Sequence, residues 1–225
     1  VVAYYPEVIN ANVSRLKETK FIYDYLGLSN IKLLVKRLYD ILKEDHKDLK
    51  LNEVNLAVYR AKKEYESYMD KIQKIGKEFL DIAILQKKKA IVLAGRPYHI
   101  DPETNHGIAK LITEFGVIVL SEDSISNLAS KTKTDILNQW TYHSRLYSVS
   151  EYISNLENVE MIQLVSFGCG LDAITTDEVK AILEENNKIY TQIKIDEITN
   201  LGAIKIRIRS LLAAIEQRER EMMMV

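Results

Sequence analysis

AIVLAG, residues 90–95, is the stretch on which the reading of the fold turns. It is an unbroken apolar run, rich in β-branched side chains, that stops at a glycine. A strand with one wet face alternates apolar and polar residues; an unbroken run suits a strand buried on both faces of a parallel sheet. Three further runs follow it: GVIVL (116–120), MIQLVSFG (161–168) and IYTQIKID (189–196). Between and after them lie stretches with helical periodicity, at about 104–115, 133–155, 175–187 and 200–221. Strand and helix therefore alternate four times. That order predicts an α/β fold, an open doubly wound and mainly parallel sheet, over residues 90–225.

Residues 1–89 read differently, as a helical arm packed on the following domain. Ile31, Leu34, Val35, Leu38, Ile41 and Leu42 recur at the three-and-four spacing of an amphipathic helix, and Asn30 is placed to cap it. The same spacing runs through 53–86, with Asn52 as candidate cap, and its length predicts one long helix. The Val- and Tyr-rich start, residues 1–5, reads as a short strand.

The 225 residues carry 31 Lys and Arg against 32 Asp and Glu, a net charge of −1. This balance argues against a nucleic-acid or anionic-membrane binder, which would carry a basic excess. No apolar run reaches membrane-spanning length, and no secretory leader opens the chain. The single cysteine excludes an internal disulfide framework and predicts a reducing, cytoplasmic setting. The chain opens Val1-Val2-Ala3 without Met and closes inside a charged helical pattern, so it reads as a piece excised from a longer protein. The methionines near its end read as a helix face or a cut edge.

Ligands of open α/β sheets collect beyond the carboxyl ends of the strands. The residues that follow the four runs are therefore the candidates: Arg96 and His99, Glu122 and Asp123, Cys169 and Asp172, Asp196 and Glu197, with His106 close behind the first strand. Each has a plainer reading. Asp123, Asp101 and Thr175 suit helix caps. Glu197 suits a solvated loop charge, and Arg96 an ion pair with Asp123. His143 beside Trp140 and Tyr147 suits a packed histidine, and His99 or His106 an anion contact at a helix start.

Cys169 stands in Gly-Cys-Gly, which removes steric cover from the thiol. Three chemistries fit it: a nucleophile with His99 or His143 as base, a ligand of a metal or iron–sulfur centre completed elsewhere, or an inert side chain. No Cys-x-x-Cys, His-Glu-x-x-His, phosphate-loop or Gly-x-Gly-x-x-Gly pattern occurs, which disfavours classical nucleotide binding.

Five stretches recur together in one known group: GRPYHIDPETNHG (95–107), LSEDS (120–124), HSRLY (143–147), SFGCGLDAITTDE (166–178) and KIDEITNLGAIKIRIRS (194–210). With YPEVI (5–9), they give a chain that resembles the C-terminal region of acyl-CoA dehydratase activase-related proteins, the CoA-substrate-specific enzyme activases. That region is similar to a component of 2-hydroxyglutaryl-CoA dehydratase. The resemblance implies a flavodoxin-like domain and a four-iron–four-sulfur (4Fe-4S) cluster with Cys169 as a ligand. In relatives a Cys-Pro pair stands just before the segment equivalent to Val1, so the chain would be cut through its own site and isolated without a cluster. The implied partner is an activator ATPase domain or other electron donor, with acyl-CoA as candidate substrate and a homodimer among the allowed assemblies. Arg96, His99, His106, Glu122, Asp123, Asp196 and Glu197 would then line the cofactor or meet an anionic substrate. The acyl-CoA contacts of the characterised dehydratases are not mapped onto this chain, so dehydration of a 2-hydroxyacyl-CoA is one reaction among those implied. The fragment alone is expected to be inactive. The alternative is a binding module for a phosphate or acyl-CoA, with a structural cysteine.

Overall fold

The structure is a computed structural model that describes residues 4–130, 134, 140–166, 170–196 and 201–224. The chain divides into two compact units, Val1–Glu66 and Ser67–Val225, with the boundary inside a helix. The change in sequence grammar lies further on, at residue 89.

In the first unit, helix α1 spans Tyr5–Asn12, with Pro6 in its first turn, where a missing N–H costs nothing. Tyr5 is thus helical, which corrects the expected strand for the described part of residues 1–5. Helix α2, Ile31–Lys43, is capped by Asn30 as its sequence predicts: the side chain accepts the Leu33 N–H at 3.1 Å. Helix α3, Leu51–Leu85, is a single 35-residue helix that continues into the second unit. Asn52 lies within it and is no cap; Glu53 takes that task, accepting the Lys50 N–H at 2.7 Å. Leu34 and Val35 pack on Val54 and Val58 in a small core of their own.

The second unit is the expected doubly wound sheet. Strands β1 (Ala90–Ala94), β2 (Ile118–Ser121), β3 (Val159–Val165) and β4 (Tyr190–Lys194) are all parallel, in the order β2-β1-β3-β4. The four apolar runs are these four strands. The two central ones, β1 and β3, are buried along their whole length. Side chains alternate across the sheet. Ala90, Val92 and Ala94 face the end of α3 together with helices α6 (Thr141–Ser154) and α7 (Gly170–Glu185). Ile91 and Leu93 face α4 (Ile108–Thr113) and α8 (Gly202–Met223). A short α5, Glu122–Ile125, follows β2 directly, where the sequence suggested only a loop. Helix α7 starts before Thr175, which is therefore interior to it and no cap. Gly76 lets α3 approach the backbone of Ser124; a Cβ there would lie 2.2 Å from the Ser124 carbonyl oxygen.

At the amino ends of the strands sits a buried ion cluster. Glu160 of β3 accepts from Arg218 of α8 and from the Ile189 N–H at 3.1 Å, with the Lys188 ammonium 3.6 Å away. Lys188 also donates to the carbonyls of Leu156 and Val159. Every polar group there is satisfied, as burial demands.

Candidate functional site

The chain leaves β1, passes to β2 on one side of it, and returns to β3 on the other. The crevice between the carboxyl ends of β1 and β3 is therefore the switch point at which doubly wound sheets take ligands. The first loop enters it through Gly95, whose φ of +152° suits glycine and whose missing Cβ makes room for His99. A 3₁₀ turn, Pro97–Ile100, then folds His99 back so that its Nδ1 accepts the Arg96 N–H at 3.1 Å. The other ring nitrogen, Nε2, is hydrogen-bonded to Ser166 Oγ at 3.2 Å, just past β3, and the Leu164 carbonyl also engages the ring. Burial holds His99 below the usual histidine pKa, helped by Arg96 and opposed by Asp172. Asn105, buried beneath, donates to the His99 carbonyl at 3.0 Å and accepts the N–H groups of Gly107 and Ile108, fixing the loop to the start of α4.

Arg96 reaches across the switch point. Its Nε and Nη2 donate to Asp172 Oδ1 at 3.1 and 3.0 Å, and its Nη1 to the Tyr98 hydroxyl at 3.3 Å. The expected pairing with Asp123 is thereby corrected: Asp123 instead accepts from Ser121 Oγ at 2.6 Å, within its own turn, and is not a cap. Asp172 lies in the first turn of α7, where the helix dipole favours a carboxylate. His143 of α6 stacks on Trp140 and Tyr142, the packed histidine of the sequence reading. It also lies in the field of Asp172 and Arg96, and burial lowers its pKa.

On the β2 side, Glu122 opens α5 and accepts from Arg145 Nη2 of α6 at 2.7 Å. Burial pushes the Glu122 carboxyl up to about 7, against the pull of Arg145 and with a further push from Asp123. Glu122, Asp123, Arg96 and His99 together line a cavity of about 10 Å³ on the crevice floor, room for about one water. Four buried polar atoms in this region have no hydrogen-bond partner: Glu122 Oε2, Arg145 Nε, His143 Nε2 and Asp172 Oδ2.

Of the residues picked from sequence, Arg96, His99, Glu122, Asp123 and Asp172 meet here. His106 is exposed with a left-handed φ of +54°, in the loop before α4 and outside these hydrogen bonds. Asp101 makes a local turn, accepting the N–H groups of Glu103 and Thr104. Asp196 follows β4, beyond β3 from Arg96, and pairs with Lys194 at 3.9 Å. Cys169 and Glu197 lie outside the described residues. Sequence alone gives Tyr98, Ser166 and Arg145 no role, although HSRLY contains Arg145.

Among the described residues, no group of three His, Cys, Asp or Glu side chains could hold a metal ion, and no helix is long and apolar enough to cross a membrane. No curated protein and no solved structure matches the chain. A family profile does match, over residues 1–125, from α1 through the crevice residues Gly95 to Asp123. The chain belongs to the family described as the CoA enzyme activase uncharacterised domain.

Proposed function

We propose that the second unit binds a small polar ligand of the acyl-CoA or phosphate class in the crevice between β1 and β3. The observation that carries this reading is the set of four buried polar atoms without partners. Each costs roughly 1–3 kcal/mol while unsatisfied, and all four belong to residues that converge where such sheets take ligands. The floor cavity has room for about one water, so the ligand itself would lie above it, in the crevice. Thermal-shift measurement with free CoA, butyryl-CoA and inorganic phosphate tests it. A ligand at 100 times its Kd should stabilise the fold by about 2.7 kcal/mol, and His143→Ala should weaken that shift. No shift with any of the three sinks the reading.

Family membership and the Gly-Cys-Gly sequence ahead of α7 favour a second reading. In it the chain is part of a cytoplasmic iron–sulfur protein related to 2-hydroxyacyl-CoA dehydratase components, accepting an electron from an ATP-dependent activator. Here the residues present do not fit the whole group. A cluster of this kind takes about four thiolates, and this chain has one cysteine. Cys169 would be one ligand, and the others would come from outside this sequence. Anaerobic reconstitution of the parent protein with iron and sulfide should give less bound iron in Cys169→Ala; equal iron content in both removes this reading.

A further inference from the structure

The described crevice carries no excess of positive charge. Two guanidinium groups, Arg96 and Arg145, meet three carboxylates, Asp172, Glu122 and Asp123. An incoming acid would therefore meet no net positive charge among the described residues. The Arg145–Glu122 pair is also incomplete. Both groups are forks able to form two parallel hydrogen bonds, yet only Nη2 and Oε1 are joined. Arg145 Nε and Glu122 Oε2 stay buried and unpartnered. Glu122 is 95% buried, since its exposure is 5%, and it lines the floor cavity. Arg145 keeps 26% of its side chain exposed, so it is reachable from outside.

We infer that the crevice takes an acidic ligand, a carboxylate or a phosphate, together with one proton, with Glu122 holding the proton and Arg145 turning from Glu122 to the ligand. This rests on the ligand-binding reading above and adds the charge of the ligand and the way it is balanced. The exchange conserves charge: ligand anion, proton and the Arg145–Glu122 pair become a neutral Glu122 and an Arg145–ligand pair. Without the proton, two like charges would sit a few ångströms apart, where the low dielectric makes their repulsion far stronger than in water. The carboxyl that burial already holds near 7 is the one that can accept it. The groups facing Glu122 are Arg145 from α6, Asp123 beside it in α5, and Arg96 and His99 from the loop after β1; β2 contributes the Ser121 hydroxyl, which Asp123 occupies. His99, held below its usual pKa, adds no charge at neutral pH.

Sulfate is the probe, because it does not itself titrate near neutrality. Calorimetric titration of the chain in buffers of different ionisation enthalpy counts the protons. At pH 8 about one proton should enter with each sulfate, and affinity should fall about tenfold per pH unit above 7. Glu122→Gln should bind sulfate with no proton uptake and with an affinity independent of pH. Sulfate binding to the wild type with no proton uptake at pH 8 overturns the inference while leaving the ligand site standing. So does an acyl-CoA thermal shift without sulfate binding. The wild-type proton count decides the matter even where the variant fails to fold.

Discussion

Glu160→Ala should lower the stability of the α/β unit by about 3–5 kcal/mol and its melting temperature by about 10 °C. Glu160 is 1% exposed and is the only carboxylate the structure pairs with Lys188 and Arg218 among the described residues. Removing it leaves two cations without their carboxylate, Lys188 almost fully buried and Arg218 only partly exposed. Arg218 cannot lose its proton, whereas Lys188 can. Burial already lowers the Lys188 pKa, and Glu160 is the main influence raising it again. Without Glu160 the depression deepens. A lysine whose folded-state pKa lies below its unfolded value binds fewer protons folded than unfolded, so stability rises with pH across that interval. The deficit of the variant should therefore shrink on the alkaline side, which paired thermal melts at pH 7 and 9.5 would show. A variant melting within a degree or two of the wild type would mean that the cluster contributes nothing to the fold.

Gly95→Ala is the second large effect, about 3–5 kcal/mol, from a backbone torsion unsuited to an L side chain plus overpacking. The added Cβ would lie 2.4 Å from His99 Nδ1 and 2.8 Å from the Leu164 carbonyl oxygen, with φ at +152°. Leu164 belongs to the fully buried central strand β3 and cannot retreat. His99 must move instead, which breaks its hydrogen bonds to the Arg96 N–H and Ser166. Denaturant titration should report the loss, and the His99 ring signals should shift. Stability within about 1 kcal/mol of the wild type would contradict the packing described.

The strands were legible because burial on both faces leaves its mark residue by residue; Ala90–Ala94 needed no partner to be recognised. Glu160 shows the limit. A glutamate at the start of an apolar run reads as a surface residue, and only Lys188 and Arg218, far along the chain, make it an interior one. Arg96 shows the same limit at the crevice. Its partner Asp172 is 76 residues away; the sequence places both at strand ends but offers Asp123 equally well as the partner. The choice depends on strand order, with β3 rather than β2 supplying the partner, and periodicity carries no strand order. The Asn30 cap is legible because a cap is local. Asn52 is not one, because a helix start can shift by a residue and hand the task to a neighbour such as Glu53. His143 was recognised by its aromatic neighbours, while its closeness to Asp172 depends on how α6 meets α7.

Glu160 and Ser166 mark opposite ends of β3, about 20 Å apart at roughly 3.3 Å per residue. One rim of the sheet thus holds the anchor of the fold, and the other holds the groups that can meet a ligand. Changes on the second rim should leave the first undisturbed, because separated substitutions act independently. Apart from positions such as Gly95, whose backbone the fold itself needs, side chains of the second rim can be exchanged with the Glu160 anchor intact.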